Sequence, residues 1–206
     1  MTLMETAVDG IRAQRLVAVL RRVSEPDALV DQLVAAGVRV VELTLDSDDA
    51  LATIERLRAR GDVTVLAGTV RTAVDAERAI AAGAEACVAP ALVAEMVEAC
   101  RRLGVPAIPG TLTPTEVEAA CALGVELVKL FPAGAVGPDY VRDLLAPLQG
   151  VQLLVTGGVD ASNAAAFLHA GAVAVGVGSA LTAASDVGAE ARRLLAALRE
   201  RPARHP

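Results

Sequence analysis

Of the nineteen lysines and arginines in this chain, only Lys129 is a lysine. Wherever a cation serves solubility or pairing the sequence uses arginine, whose guanidinium stays protonated and is a poor nucleophile. An amine removed from water can instead attack a carbonyl and form an imine. Lys129 lies inside the apolar run Val125-Glu-Leu-Val-Lys-Leu-Phe-Pro132, which makes it a candidate nucleophile of that kind. The competing reading is a strand-end lysine whose ammonium snorkels to water. Glu42 sits in a second apolar run, Val40-Val-Glu-Leu-Thr44. A carboxylate there is costly to bury without a partner. A Glu42–Lys129 pair that served only structure would gain little over apolar packing, whereas proton transfer beside an imine-forming amine gives it a chemical use.

These two residues need elements that bring distant segments together. Valine-rich runs at about 15–21, 38–45, 63–68, 85–89, 105–108, 125–130, 151–156 and 173–177 read as strands. Between them, segments such as Glu25–Ala36, Ala73–Ala82 and Ala161–Ala170 carry helical periodicity. Several helices run into a glycine placed just before the next strand, among them Gly37, Gly83, Gly104, Gly124 and Gly171, as expected of helix C-termini. Eight strand–helix units predict an α/β fold, a single closed (β/α)8 TIM barrel with an N-terminal helix, spanning 1–206 as one domain. The alternative is an open doubly wound sheet, but no Gly-x-Gly-x-x-Gly follows the first strand.

Composition narrows the function classes. The chain is 54% hydrophobic, mostly Ala, Val and Leu, with Phe131, Phe167 and Tyr140 as its aromatics, which suits buried parallel strands under alanine-rich helices. A net charge of −6 and scarce aromatics argue against nucleic-acid binding. Cys87, Cys100 and Cys121 lack metal-ligand spacing and read as free thiols of a reducing compartment. With His169 and His205 the only histidines, no metal site is expected. The segment Met1 to Gln14 has helical spacing and lacks the apolar core of a signal peptide, and no stretch has the length of a membrane span. A cytoplasmic protein without membrane partners is the expectation.

Barrel active sites form at the C-terminal ends of the strands. The polar residues expected there are Arg21 and Arg22, Glu42 and Thr44, Thr69, and Lys129. Two later loops, Thr156-Gly-Gly-Val159 and Gly176-Val-Gly-Ser-Ala180, offer free backbone amides. In barrels such loops commonly hold phosphate; the alternative is that their glycines only make tight turns.

Taken together, these residues resemble the 2-keto-3-deoxy-6-phosphogluconate (KDPG) and 4-hydroxy-2-oxoglutarate aldolase family over about residues 12–200. The resemblance rests on Ala18-Val-Leu-Arg21, Val41-Glu-Leu-Thr44, Ala67-Gly-Thr69, Ala89-Pro90, Ile108-Pro-Gly-Thr-Leu-Thr-Pro-Thr-Glu116, Val128-Lys-Leu-Phe-Pro132, Thr156-Gly-Gly158 and Gly176-Val-Gly-Ser179. It implies a class I aldolase that cleaves KDPG to pyruvate and glyceraldehyde 3-phosphate, or 4-hydroxy-2-oxoglutarate to pyruvate and glyoxylate. Lys129 would form the Schiff base and Glu42 would act as general acid/base. Thr69 would contact the pyruvyl unit, Pro90 and Phe131 would form apolar walls, and Gly157, Gly158, Gly178 and Ser179 would hold the phosphate. No cofactor is implied, because the imine is the electron sink, and the assembly implied is a homotrimer.

One position departs from part of the family. Many members carry arginine just after the strand-two Glu-x-Thr-x segment, where this chain has Asp46. Other members supply it from the end of strand one, and Arg21 stands there, so Arg21 is the expected carboxylate clamp and Arg22 a surface residue. The same departure leaves the choice between gluconate-type and galactonate-type substrates open. Two further classes compete: a sugar-phosphate isomerase or epimerase, and a barrel that binds a phosphorylated metabolite without turnover. Neither explains a lone lysine beside Glu42 and Thr69.

Overall fold

The computed structural model describes residues 6–199. Residues 1–5 of the N-terminal segment, and His205, lie outside them. Parallel strands alternate with helices around a (β/α)8 barrel. Its strands are β1 (Leu16–Leu20), β2 (Val40–Thr44), β3 (Thr64–Gly68), β4 (Ala86–Val88), β5 (Ala107–Ile108), β6 (Gly110–Thr111), β7 (Val128–Leu130), β8 (Leu153–Thr156) and β9 (Ala174–Val177). The sheet order β5-β4-β3-β2-β1-β9-β8-β7-β6 begins and ends on neighbouring pieces of one stretch of chain. The fifth strand, expected at 105–108, is therefore two segments divided by Pro109. Proline has no N–H to donate to a ladder, yet its carbonyl accepts from Lys129 N at 2.9 Å. The first segment pairs with β4 and the second with β7, which closes the barrel.

Alternation along the strands divides the apolar residues into two cores. Val17, Val19, Val40, Leu66, Val88, Ile108, Leu127 and Leu154 fill the barrel interior. Their neighbours Leu16, Leu20, Val41, Val65, Leu130 and Val155 pack outward against the helices. The N-terminal helix α1 (Ala7–Gln14) contributes Ala7, Val8 and Ile11 to the inner core, so it closes the N-terminal end. It starts at a capping box in which Thr6 and Asp9 exchange hydrogen bonds. With that end plugged, the open mouth is the C-terminal one.

The remaining helices follow the sequence expectations closely. Helix α2 (Pro26–Ala36) ends at Gly37, whose φ of 100° is open to glycine at no steric cost. Helices α3 (Ala50–Arg60), α4 (Ala73–Ala81), α5 (Ala94–Arg102), α6 (Pro114–Ala122) and α7 (Gly137–Leu145) complete the middle units. Helix α8 (Ala164–His169) is shorter than the expected 161–170. Asp160 Oδ1 accepts from Ser162 N, and Asn163 accepts from Asp160 N and donates to Gly158 O, so these residues form a loop instead of a first helical turn. A short helix α9 (Ser179–Thr182) precedes the last, α10 (Val187–Arg199). The three cysteines are free. Among the described residues, no helix is long and apolar enough to cross a membrane.

Candidate active site

Lys129 and Glu42 occupy inward positions on opposite sides of the barrel, in the middle of β7 and β2. Their side chains are 5% and 1% exposed, and Lys129 Nζ lies 3.6 Å from Glu42 Oε1. Neither carboxylate oxygen has a hydrogen-bond partner. A buried acceptor left without a donor is costly, so this carboxylate is available to exchange protons with whatever binds beside it. The room it occupies is provided by Gly68, which follows Leu66 on the inward face of β3. A Cβ at Gly68 would overlap the Glu42 carboxyl group.

Above the pair opens a cavity of about 490 Å³ lined by Arg21, Arg22, Lys129, Phe131, Thr156, Gly157, Gly158, Gly178 and Ser179, among others. The Phe131 ring centroid is 5.3 Å from Lys129 Nζ, which puts an aromatic face beside the amine. Arg21 donates from Nη2 to Thr69 Oγ1 at 3.2 Å, joining the ends of β1 and β3. Thr69 has a φ of 59°, a strained value for a β-branched residue. Asp46 lies between the two arginines, 3.9 Å from Arg21 Nε and 3.4 Å from Arg22 Nη2. Buried Thr44 holds the loop after β2 through contacts with Leu20 O and Ser47 Oγ.

The structure thus gathers most of the residues singled out above. Glu42 joins the site from beneath through Lys129, and Thr69 joins it through Arg21. Pro90 does not line the cavity; its backbone packs so closely on Gly110 that a Cβ there would collide with it. The Ala89-Pro90 and Pro109-Gly110 motifs are two sides of this one contact, beside Lys129, to which Gly110 is paired in register.

Sequence reasoning gave no role to two contributors and a different one to a third. Thr156, at the end of β8, turns its hydroxyl inward, where it is buried without a partner beside Gly176. Its spacing of two from inward-facing Leu154 carried that signal. Gly68 was detectable in the same way, two residues after Leu66. Arg22 is 73% exposed, in keeping with a surface residue, yet it also forms part of the cavity rim.

The glycine loops are tightly fitted to their neighbours. Gly134 N donates to Gly157 O at 2.7 Å, and a Cβ on Gly134 or Gly158 would lie within 2.9 Å of the other's Cα. A Cβ on Gly157 would strike the Phe131 ring at 2.9 Å. Beside them, the Asp160 carboxyl is held below its usual range, chiefly by the Ser162 hydroxyl and then by Ser162 N.

A barrel whose open mouth holds a buried amine–carboxylate pair below two glycine loops has the groups that carbonyl chemistry on an anionic substrate needs. The comparisons with known proteins agree. The family model "KDPG and KHG aldolase" matches residues 8–196. The 2-dehydro-3-deoxy-phosphogluconate aldolase of Treponema pallidum is 35% identical over 191 residues, 90% of each chain. The 2-dehydro-3-deoxy-6-phosphogalactonate aldolase of Escherichia coli is 32% identical and covers 81% of this chain and 83% of its own. Among solved structures, a KDPG aldolase of Legionella pneumophila holding pyruvate as a covalent carbinolamine superposes with a TM-score of 0.81. It is 25% identical and covers 94% of this chain and 96% of its own. The chain belongs to the KDPG and KHG aldolase family.

Proposed function

We propose that this protein is a class I aldolase that reversibly cleaves 2-keto-3-deoxy-6-phosphogluconate to pyruvate and glyceraldehyde 3-phosphate. The observation that carries this reading is the buried amine of Lys129, 3.6 Å from a carboxylate with no other partner. Lys129 Nζ adds to the C2 carbonyl, and the carbinolamine loses water to give a protonated imine. Glu42 moves protons in these steps and, through a bound water, accepts the C4 hydroxyl proton. The C3–C4 bond then breaks, its electron pair passing to the iminium nitrogen as an enamine while the aldehyde departs. Protonation at C3 and hydrolysis return pyruvate and the free amine.

Arg21 clamps the substrate carboxylate, Thr69 contacts the pyruvyl unit, Phe131 supplies apolar surface, and Gly157, Gly158, Gly178 and Ser179 receive the phosphate. 4-Hydroxy-2-oxoglutarate is a second substrate of the same chemistry. The galactonate-type isomer is the alternative; the Escherichia coli relative matches it without favouring it over the gluconate type. Family membership also supports a cytoplasmic homotrimer, which sedimentation as a monomer would contradict. The decisive experiment is borohydride reduction in the presence of pyruvate, then peptide mapping. Lys129 is the one side-chain amine in the chain, so a reduced pyruvyl adduct on its peptide supports the reading and its absence from folded protein overturns it.

A further inference from the structure

The cavity has an imbalance of charge. Its cations are Lys129, Arg21 and Arg22. The phosphate end is lined by Gly157, Gly158, Val159, Gly178, Ser179, Ala180 and Thr182, all neutral, and by Asp160, which is negative. The Asp160 carboxylate accepts from Ser162 N at 2.8 Å and from Ser162 Oγ at 2.5 Å, so it is engaged within its own loop but still repels an anion. A bound phosphate monoester carries a charge of about −1.5 to −2. Backbone amides alone leave that charge without a counter-ion. Lys129 is committed to the carbonyl and Arg21 is turned toward Thr69 on β3.

Arg22 is the remaining cation, and its backbone accounts for its place. Strand alternation would send consecutive side chains to opposite faces, so with Arg21 at the mouth Arg22 should point away. Instead Arg22 takes a φ of 51°, left-handed and uncommon for a side-chain-bearing residue. Its N–H is pinned by Ser47 Oγ at 2.8 Å. The turn breaks the alternation and returns Arg22 to the cavity rim beside Arg21. Since β1 pairs with β9, that rim adjoins Gly178 and Ser179. Asp46 Oδ2 lies 3.4 Å from Nη2, which keeps the guanidinium at the mouth.

We propose that Arg22 is the charged phosphate ligand of this site, leaving Asp46 to pair with the substrate phosphate held at the glycine loops. The proposal rests on the aldolase reading and adds to it the residue that selects phosphorylated substrates. The test compares Arg22→Gln and Arg22→Lys with the parent enzyme on KDPG and on its unphosphorylated analogue. The ratio of kcat/KM for the two substrates should fall about 10- to 30-fold in Arg22→Gln, through KM, as expected for loss of one charge-assisted hydrogen bond. Arg22→Lys should recover most of it, and the salt dependence of KDPG cleavage should weaken in Arg22→Gln. Titration with inorganic phosphate, followed by calorimetry, should show the same order of affinities without relying on turnover. An unchanged ratio together with unchanged phosphate affinity overturns the proposal, as does an equal loss on both substrates. Failure of the aldolase reading is seen separately, as a parent enzyme that neither traps pyruvate on Lys129 nor cleaves either substrate. Arg22-dependent phosphate affinity in such a protein would still uphold the ligand assignment.

Discussion

Replacing Gly68 by alanine probes how closely turnover depends on the placement of the Glu42 carboxylate. A Cβ at position 68 would lie 2.7 Å from both Glu42 Cγ and Cδ. Carbon atoms rest at about 3.5–4.0 Å, so relief demands about 1 Å of movement. With its side chain 1% exposed, Glu42 has no exit to solvent and must shift within the barrel, changing its 3.6 Å approach to Lys129. Misplacing a catalytic group by about 1 Å costs about 100-fold in rate. The overpacking itself costs about 1–3 kcal/mol out of a typical total of about 5–15, so the variant should still fold. The assay is pyruvate release from KDPG, coupled to NADH oxidation by lactate dehydrogenase, with circular dichroism melting as the control for folding. We expect kcat to fall about 100-fold while borohydride still captures pyruvate on Lys129. A cooperatively melting Gly68→Ala enzyme with kcat within about threefold of the parent would refute the geometry argued for Glu42.

Three other outcomes follow from the structure. Arg21→Ala should raise KM for KDPG by about 10- to 100-fold, since it removes a charge-assisted contact; an unchanged KM would return the clamp to another residue. Thr156→Val deletes a buried hydroxyl that has no partner, so Tm should hold or rise while kcat/KM for KDPG falls; a clear drop in Tm would mean the hydroxyl is bonded in the resting protein. Glu116 is held below its reference value of 4.5, first by Thr113 N and then by Leu112 N. Its folded pKa being the lower one, it contributes stability above that value and loses it as pH falls through the folded pKa. Glu116→Gln should therefore flatten the acid side of a Tm-versus-pH curve, and an unaltered acid slope would contradict the assignment.

The residues legible in the sequence were those marked by chemical contrast or by period. Lys129 and Glu42 stand out because each is a charge in an apolar strand, and strand alternation sends both inward. The barrel was legible because its units repeat. The division of the fifth strand was not, since Pro109 interrupts the ladder on one side while its carbonyl serves the other, a matter of pairing partners that periodicity does not contain. The late start of α8 depends on Asp160 and Asn163 preferring side-chain-to-backbone bonds over a first helical turn. Arg22 was read as a surface residue once Arg21 took the place of the family's carboxylate arginine, and the left-handed backbone that carries it to the cavity rim is a local conformation that the residue type does not announce. Gly68 and Thr156 share a different cause. Each carries its spacing signal, but its use depends on a neighbour in the sheet, Glu42 for one and Gly176 for the other.

The seat between Gly134 and Gly158 has an evolutionary consequence. The two loops meet Cα against Cα, so a side chain at either position evicts the backbone of the other. Mutations at the two sites are therefore epistatic. An alanine at 134 requires the 157–158 segment to give way, and that shift moves the second glycine loop unless the 134 loop fills the gap. A lineage that remodels this end of the cavity meets the two loops as one unit, because a change of backbone at 134 is felt at 158 and the reverse.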